Sequence, residues 1–223
     1  MFPAALGVFI IVLVQDLGFA ALLWGIIQFA PRIFDAVTDP LMGFISDNTK
    51  SKWGRRRQYV FVGGILMGLA YVAMWQLYED DGIIYNFIYF FSWSLVFYLG
   101  LTIFSVPYVA MGYEISDDFH ERTQIMAIAQ FIGQWAWVIA PWFWVILYDP
   151  AWFPDGAGQG VRDLSIWVAI PCTIFAIIPA IFIKSKSTLD RKDFLPVNSS
   201  YISKSIKGIF ISAFEAFKIK QFK

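Results

Sequence analysis

Four stretches of this chain run without a charged side chain for at least the length of a bilayer crossing: residues 58–78, 82–113, 123–148 and 164–183. A helix crosses the roughly 30 Å hydrocarbon core in about 20 residues, and its backbone groups satisfy one another there without water. Each stretch is long enough to span. With 58% hydrophobic and 15% charged residues, the chain also carries more apolar surface than a soluble domain of 223 residues buries. Residues 1–15 and about 22–45 add two further helices. The expected architecture is an all-α membrane protein, a six-helix transmembrane bundle. At about 1.5 Å per residue the first helix is short, so the chain is expected to begin part-way through it. The bundle is assigned to residues 1–183 and a cytoplasmic loop to 184–223. Within that loop, apolar positions between 203 and 220 recur at three- and four-residue spacing opposite lysines, the pattern of an amphipathic helix on a membrane surface.

The basic residues set an orientation. Of 17, five lie between 50 and 57, nine follow residue 183, and Arg122 lies in the connector between the fourth and fifth spans. The positive-inside rule places those 15 in the cytoplasm, with both chain ends, and the acidic turn of Glu79, Asp80 and Asp81 on the opposite side of the inner (cell) membrane. Acidic and basic residues balance, so nothing suggests nucleic acid as a partner; the lipid bilayer is the expected one. A single cysteine, Cys172, and a single histidine, His120, assemble neither a disulfide framework nor a metal site of their own. No glycine loop for phosphate and no serine with a base beside it is present, so neither an enzyme nor an organic cofactor is expected.

Against this background the sequence FDAVTDPLMGFISD stands out, because it places carboxylates inside an apolar span. Asp35 and Asp39 are four residues apart and share one helix face, with Arg32 about one turn earlier. An ionised side chain at the bilayer centre costs about 2.5–3.5 kcal/mol on insertion scales, so such residues face protein, water or a bound ion. Two carboxylates against one arginine leave a negative excess, which a cation or proton would neutralise. Two aspartates on one helix are not the facing pair of an aspartyl protease. The pattern reads as a transport site.

Two segments carry a family resemblance: RIFDAVTDPLMGFISDNTKSKWGRRR and VPYVAMGYEISDDFHERT. Together with the spacing between them, they resemble the major facilitator superfamily, and within it the glycoside-pentoside-hexuronide:cation symporters typified by the melibiose carrier. Gly43, Asp47 and Gly54-Arg55-Arg56-Arg57 look like a stretched form of the superfamily signature between helices 2 and 3. The resemblance implies the amino-terminal half of a twelve-helix fold, partnered by a carboxy-terminal six-helix bundle absent from this chain. It implies a secondary transporter working by alternating access around a midplane site. Asp35 and Asp39 are similar to the family's cation-binding pair, Thr38 stands where melibiose carriers have asparagine, and Thr102 matches a threonine near the ion. Sodium, held by Asp35 and Asp39 as metal ligands, and the proton are the two coupling ions this set allows.

The substrate positions depart from the melibiose pattern: Ser105 replaces an aspartate, Val109 a tryptophan and Gln130 an arginine. Arg32, Ser105, Gln130 and Gln134 remain as candidate substrate-binding residues for a glycoside's hydroxyls. Asp47, Arg55, Arg56, Glu114, Asp117 and Arg122 are the expected cytoplasmic gate of salt bridges. Two alternatives stand beside a sugar symporter: a related carrier for a lysolipid or other small molecule, and a non-transporting six-helix membrane scaffold.

Overall fold

The computed structural model describes residues 2–154 and 156–183. Among them it contains six α-helices: α1 (Phe2–Gln15), α2 (Ala21–Asp47), α3 (Arg57–Met74), α4 (Ile83–Glu114), α5 (Phe119–Leu147) and α6 (Ala157–Phe182), with a 3-10 turn at Glu79–Asp81 between α3 and α4. The expected all-α bundle is present. The amphipathic segment 203–220 and the rest of 184–223 lie outside the described residues.

Three boundaries differ from the sequence expectation. Helix α3 stops at Met74 rather than continuing to residue 78, and the next residues are held by a side chain from elsewhere: Arg162 donates to the Leu77 carbonyl at 2.7 Å and lies over the Tyr78 ring at 4.6 Å. Helix α6 starts at Ala157, so it carries Arg162 and Asp163 within its first two turns, where a charge-free criterion put them outside. Helix α5 starts at Phe119 because Asp118 caps it, its carboxylate accepting from the His120 and Glu121 amides.

Helices α3 to α6 are long and apolar enough to cross a membrane. Helix α1, with 14 residues, is shorter, and α2, with 27 residues, carries four charged side chains. The protein is an integral membrane protein.

Helix α3 is the centre of the packing. It lies against α4 on one side and α6 on the other, while α2 packs on α4 alone apart from marginal approaches. Small residues permit the α3 contacts. A Cβ on Gly63 would stand 2.6 Å from the Phe104 backbone nitrogen of α4, and one on Gly64 would stand 3.3 Å from the Ala176 Cβ of α6. Without a hydrophobic drive between helices in lipid, such close backbone approach supplies much of the association. The connector after α1 does not make α1 and α2 close neighbours; α1 packs chiefly against α5 and α6, with Ala4 meeting Ala136 and Ala140. An aromatic lattice closes the interior. Phe9 meets Trp75 edge-on at 5.5 Å, Trp75 meets Phe90 at 5.2 Å, and Tyr71 meets Phe97 at 5.9 Å. Pro107 and Pro141 both lie within continuous helices.

Candidate functional site

Helices α2 and α4 build the site from their facing surfaces. Thr102, buried in α4, donates its hydroxyl to Asp39 Oδ1 at 2.8 Å. The Thr38 hydroxyl lies 3.5 Å from that of Thr102 and is anchored to its own helix by a 3.0 Å bond to the Phe34 carbonyl. Asp35 sits one turn earlier, and its Oδ1 is buried without a hydrogen-bond partner. The structure therefore brings Thr38, Asp39 and Thr102 into one connected group, with Asp35 adjoining along α2.

Arg32 does not neutralise this group. Its guanidinium lies 3.9 Å from Asp35 Oδ2, beyond hydrogen-bond range, and its side chain is 72% exposed against 19% for Asp35. It also lies over the Tyr98 ring at 5.9 Å. A loose, exposed arginine beside a buried, unpartnered carboxylate oxygen leaves the negative excess in place. The donor set consists of carboxylate and hydroxyl oxygens, which suits a hard cation. Among the described residues no group of three histidine, cysteine or carboxylate side chains converges, so a cation here would rely on hydroxyl or carbonyl oxygens besides Asp35 and Asp39. One freed backbone carbonyl on α2 escaped the sequence reading. Pro40 lies inside α2 and has no N–H, so the Ala36 carbonyl lacks its usual donor four residues on. The Asp39-Pro40 step was the available signal.

The remaining candidate substrate residues are not gathered into this group. Ser105 lies one turn beyond Thr102 on α4 and is half-buried, whereas Gln130 and Gln134 are exposed on α5, the helix with the fewest buried residues. Helix α5 touches α4 only lightly, and that separates the two sets.

At the other end of α2 a charge network is formed. Arg56 donates through Nε to Asp47 Oδ1 at 3.1 Å, through Nη1 to the Ala110 carbonyl at 3.0 Å, and pairs with Glu114 Oε1 at 2.8 Å. Arg55 pairs with the same Glu114 oxygen. Gly54 makes this possible: its φ of +97° lets the loop turn back so that both arginines reach the ends of α2 and α4. Asp117 and Arg122 stay outside the network. The capped start of α5 folds that connector on itself, with Arg122 Nη2 3.5 Å from the Asp117 carbonyl and Ser116 bonded to Glu121. Arg57, named in the signature but given no place in the expected gate, donates to the Ala180 and Ile181 carbonyls at 2.7 and 2.8 Å and stacks over Trp53 at 5.0 Å, closing the last turn of α6.

The sequence matches the MFS/sugar transport protein family over residues 1–204. The chain belongs to that family. Among its relatives are an uncharacterized symporter of Synechocystis, 28% identical over 158 residues (69% of this chain, 29% of the relative), and a lactose permease of Leuconostoc lactis, 26% identical over 188 residues (80% and 28%). A sodium-dependent lysophosphatidylcholine symporter of Xenopus tropicalis is 31% identical over 124 residues (53% and 23%). The chain spans less than a third of the length of each of these relatives. Membership of the MFS/sugar transport protein family agrees with the helical bundle of the major facilitator amino-terminal half, and the named relatives are transporters rather than enzymes.

Proposed function

We propose that this chain is the coupling-ion half of a cation-driven secondary transporter for a sugar or glycoside. The observation that carries the reading is the α2–α4 group: Thr102 bonded to Asp39, Thr38 beside it, and a buried Asp35 oxygen with no partner. A cation or proton arriving there would satisfy the unpartnered oxygen and tie α2 to α4. Unloaded, the same carboxylates repel each other and resist reorientation of the carrier, which makes movement conditional on loading. The Asp47, Arg55, Arg56 and Glu114 network would act as the cytoplasmic gate, breaking when that side opens. Both chain ends then lie in the cytoplasm of the cell membrane, with residues 184–223 leading toward a second six-helix bundle that completes the substrate cavity. Arg32, Ser105, Gln130 and Gln134 are the substrate candidates on this side.

Sugar is favoured by the family description and by the lactose permease relative. A lysolipid is the second reading, favoured by the sodium-dependent lysophosphatidylcholine symporter, and sodium is the coupling ion that relative's name carries. The test is uptake by the full-length protein in vesicles, with sodium and proton gradients imposed separately and labelled glycosides or lysophosphatidylcholine supplied. Asp35→Asn and Asp39→Asn should each abolish gradient-driven accumulation while the protein still inserts. Normal accumulation in both variants would overturn the coupling assignment.

A further inference from the structure

A concave apolar surface lies away from the α2–α4 group, along the seam of α5 and α6. An open groove of about 640 Å³ runs past Leu164, Trp167 and Ile170, and a second of about 280 Å³ continues it past Phe143, Pro171 and Phe175. Leu164 and Trp167 line both, so the two adjoin along α6. From Asp163 to Phe175 the groove follows α6 for twelve residues, about 18 Å at the helical rise, comparable with the depth of one leaflet of a roughly 30 Å core. Its walls are apolar throughout this length. At its mouth stands Asp163, an exposed carboxylate with no ion pair or hydrogen bond among the described residues. The adjacent Arg162 is committed elsewhere, to the Leu77 carbonyl and the Tyr78 ring. Trp152 and Trp167, 68% and 73% exposed, flank the same end, where amphipathic rings mark the interface.

We infer that this groove binds one acyl chain of a membrane phospholipid whose primary ammonium headgroup is held by Asp163. Length and wall chemistry select an acyl chain. The unpaired carboxylate at interfacial depth selects a cationic group able to donate hydrogen bonds, which phosphatidylethanolamine has and phosphatidylglycerol lacks. Phosphatidylcholine carries the charge without an N–H, so it separates hydrogen bonding from charge alone.

The full-length protein is reconstituted in mixed phosphatidylethanolamine, phosphatidylglycerol and phosphatidylcholine, and the lipids retained on the purified protein are counted by native mass spectrometry. Phosphatidylethanolamine should be enriched roughly threefold to fivefold over both others, the range an exposed charge pair supports. Asp163→Asn should remove that preference. Ile170→Trp, which fills the groove, should reduce retention of phosphatidylethanolamine, whereas Leu69→Trp on the exposed face of α3 should not. Equal retention of the three lipids by the unaltered protein, or a preference that survives Asp163→Asn, would overturn the proposal.

Discussion

Gly63→Ala tests whether the spacing of α3 and α4 is set by backbone contact. The new methyl group would stand 2.6 Å from the Phe104 nitrogen and 2.9 Å from the Ile103 carbonyl carbon and Phe104 Cα. Carbon contacts are comfortable at about 3.5–4.0 Å, so the helices must part by about 1 Å. The obstacle is main chain and has no rotamer by which to escape. Overpacking of this kind costs about 1–3 kcal/mol, and a gap of that size along the seam forfeits about a quarter to a half of each dispersion contact, so the upper end applies. Against it stands about 1 kcal/mol from replacing glycine by alanine within a helix. The net expectation is a loss of about 1–2 kcal/mol. Gly25→Ala in α2 is the control, since nothing lies within 4 Å of its added Cβ; only the helical gain remains, and stability should hold or rise. The assay is reversible unfolding of the full-length protein in detergent, followed by tryptophan fluorescence. Opposite signs at the two positions support the reasoning. A Gly63→Ala protein as stable as Gly25→Ala would refute it. Thr102 immediately precedes Ile103 on the displaced segment, so under the proposed function gradient-driven uptake should weaken in the same variant.

Arg56→Ala removes donors from Asp47, Glu114 and the Ala110 carbonyl and should lower stability by about 2–3 kcal/mol, with Arg56→Lys recovering part of the loss because it keeps the charge but not the fork; denaturant titration measures both. Tyr148 donates to Asp16 at 2.8 Å at an exposed site, so Tyr148→Phe should cost no more than about 1 kcal/mol by the same assay, and a larger loss would show that the clasp between α1 and α5 is stronger than its exposure implies.

Helices α3 to α6 were legible in the sequence because charge is so costly in a bilayer that its absence over about twenty residues marks a span, whereas α1 is short and α2 carries four charges. The same criterion misplaced the start of α6. Arg162 and Asp163 lie inside the helix because one is absorbed by a neighbouring carbonyl and ring and the other stands exposed at the groove mouth, and neither solution leaves a trace in local sequence. Asp35 and Asp39 were visible as misplaced charge, but the link from Asp39 to Thr102 spans 63 positions and only the α2–α4 packing creates it. Arg55 and Arg56 reach their expected partners, whereas Asp117 and Arg122 do not, since the cap at Asp118 decides where the connector turns. The role of Arg57 was hidden for a related reason: its acceptors are the carbonyls of Ala180 and Ile181, and carbonyls have no residue type.

The uneven support of the helices has a mechanical meaning. Helix α3 is gripped on two faces and fastened at its first residue to the end of α6, so those helices with α4 form a frame. Helix α2 leans on that frame along one side and is stitched to it at two places, Thr102 above and Arg56 below. Regions with few packed contacts open at lower free energy than the body they rest on. Releasing both stitches would free a single helix like a slat lifted from a shutter, leaving the frame unstrained. A small ligand at one stitch and a charge network at the other could then govern a large movement without unfolding anything else.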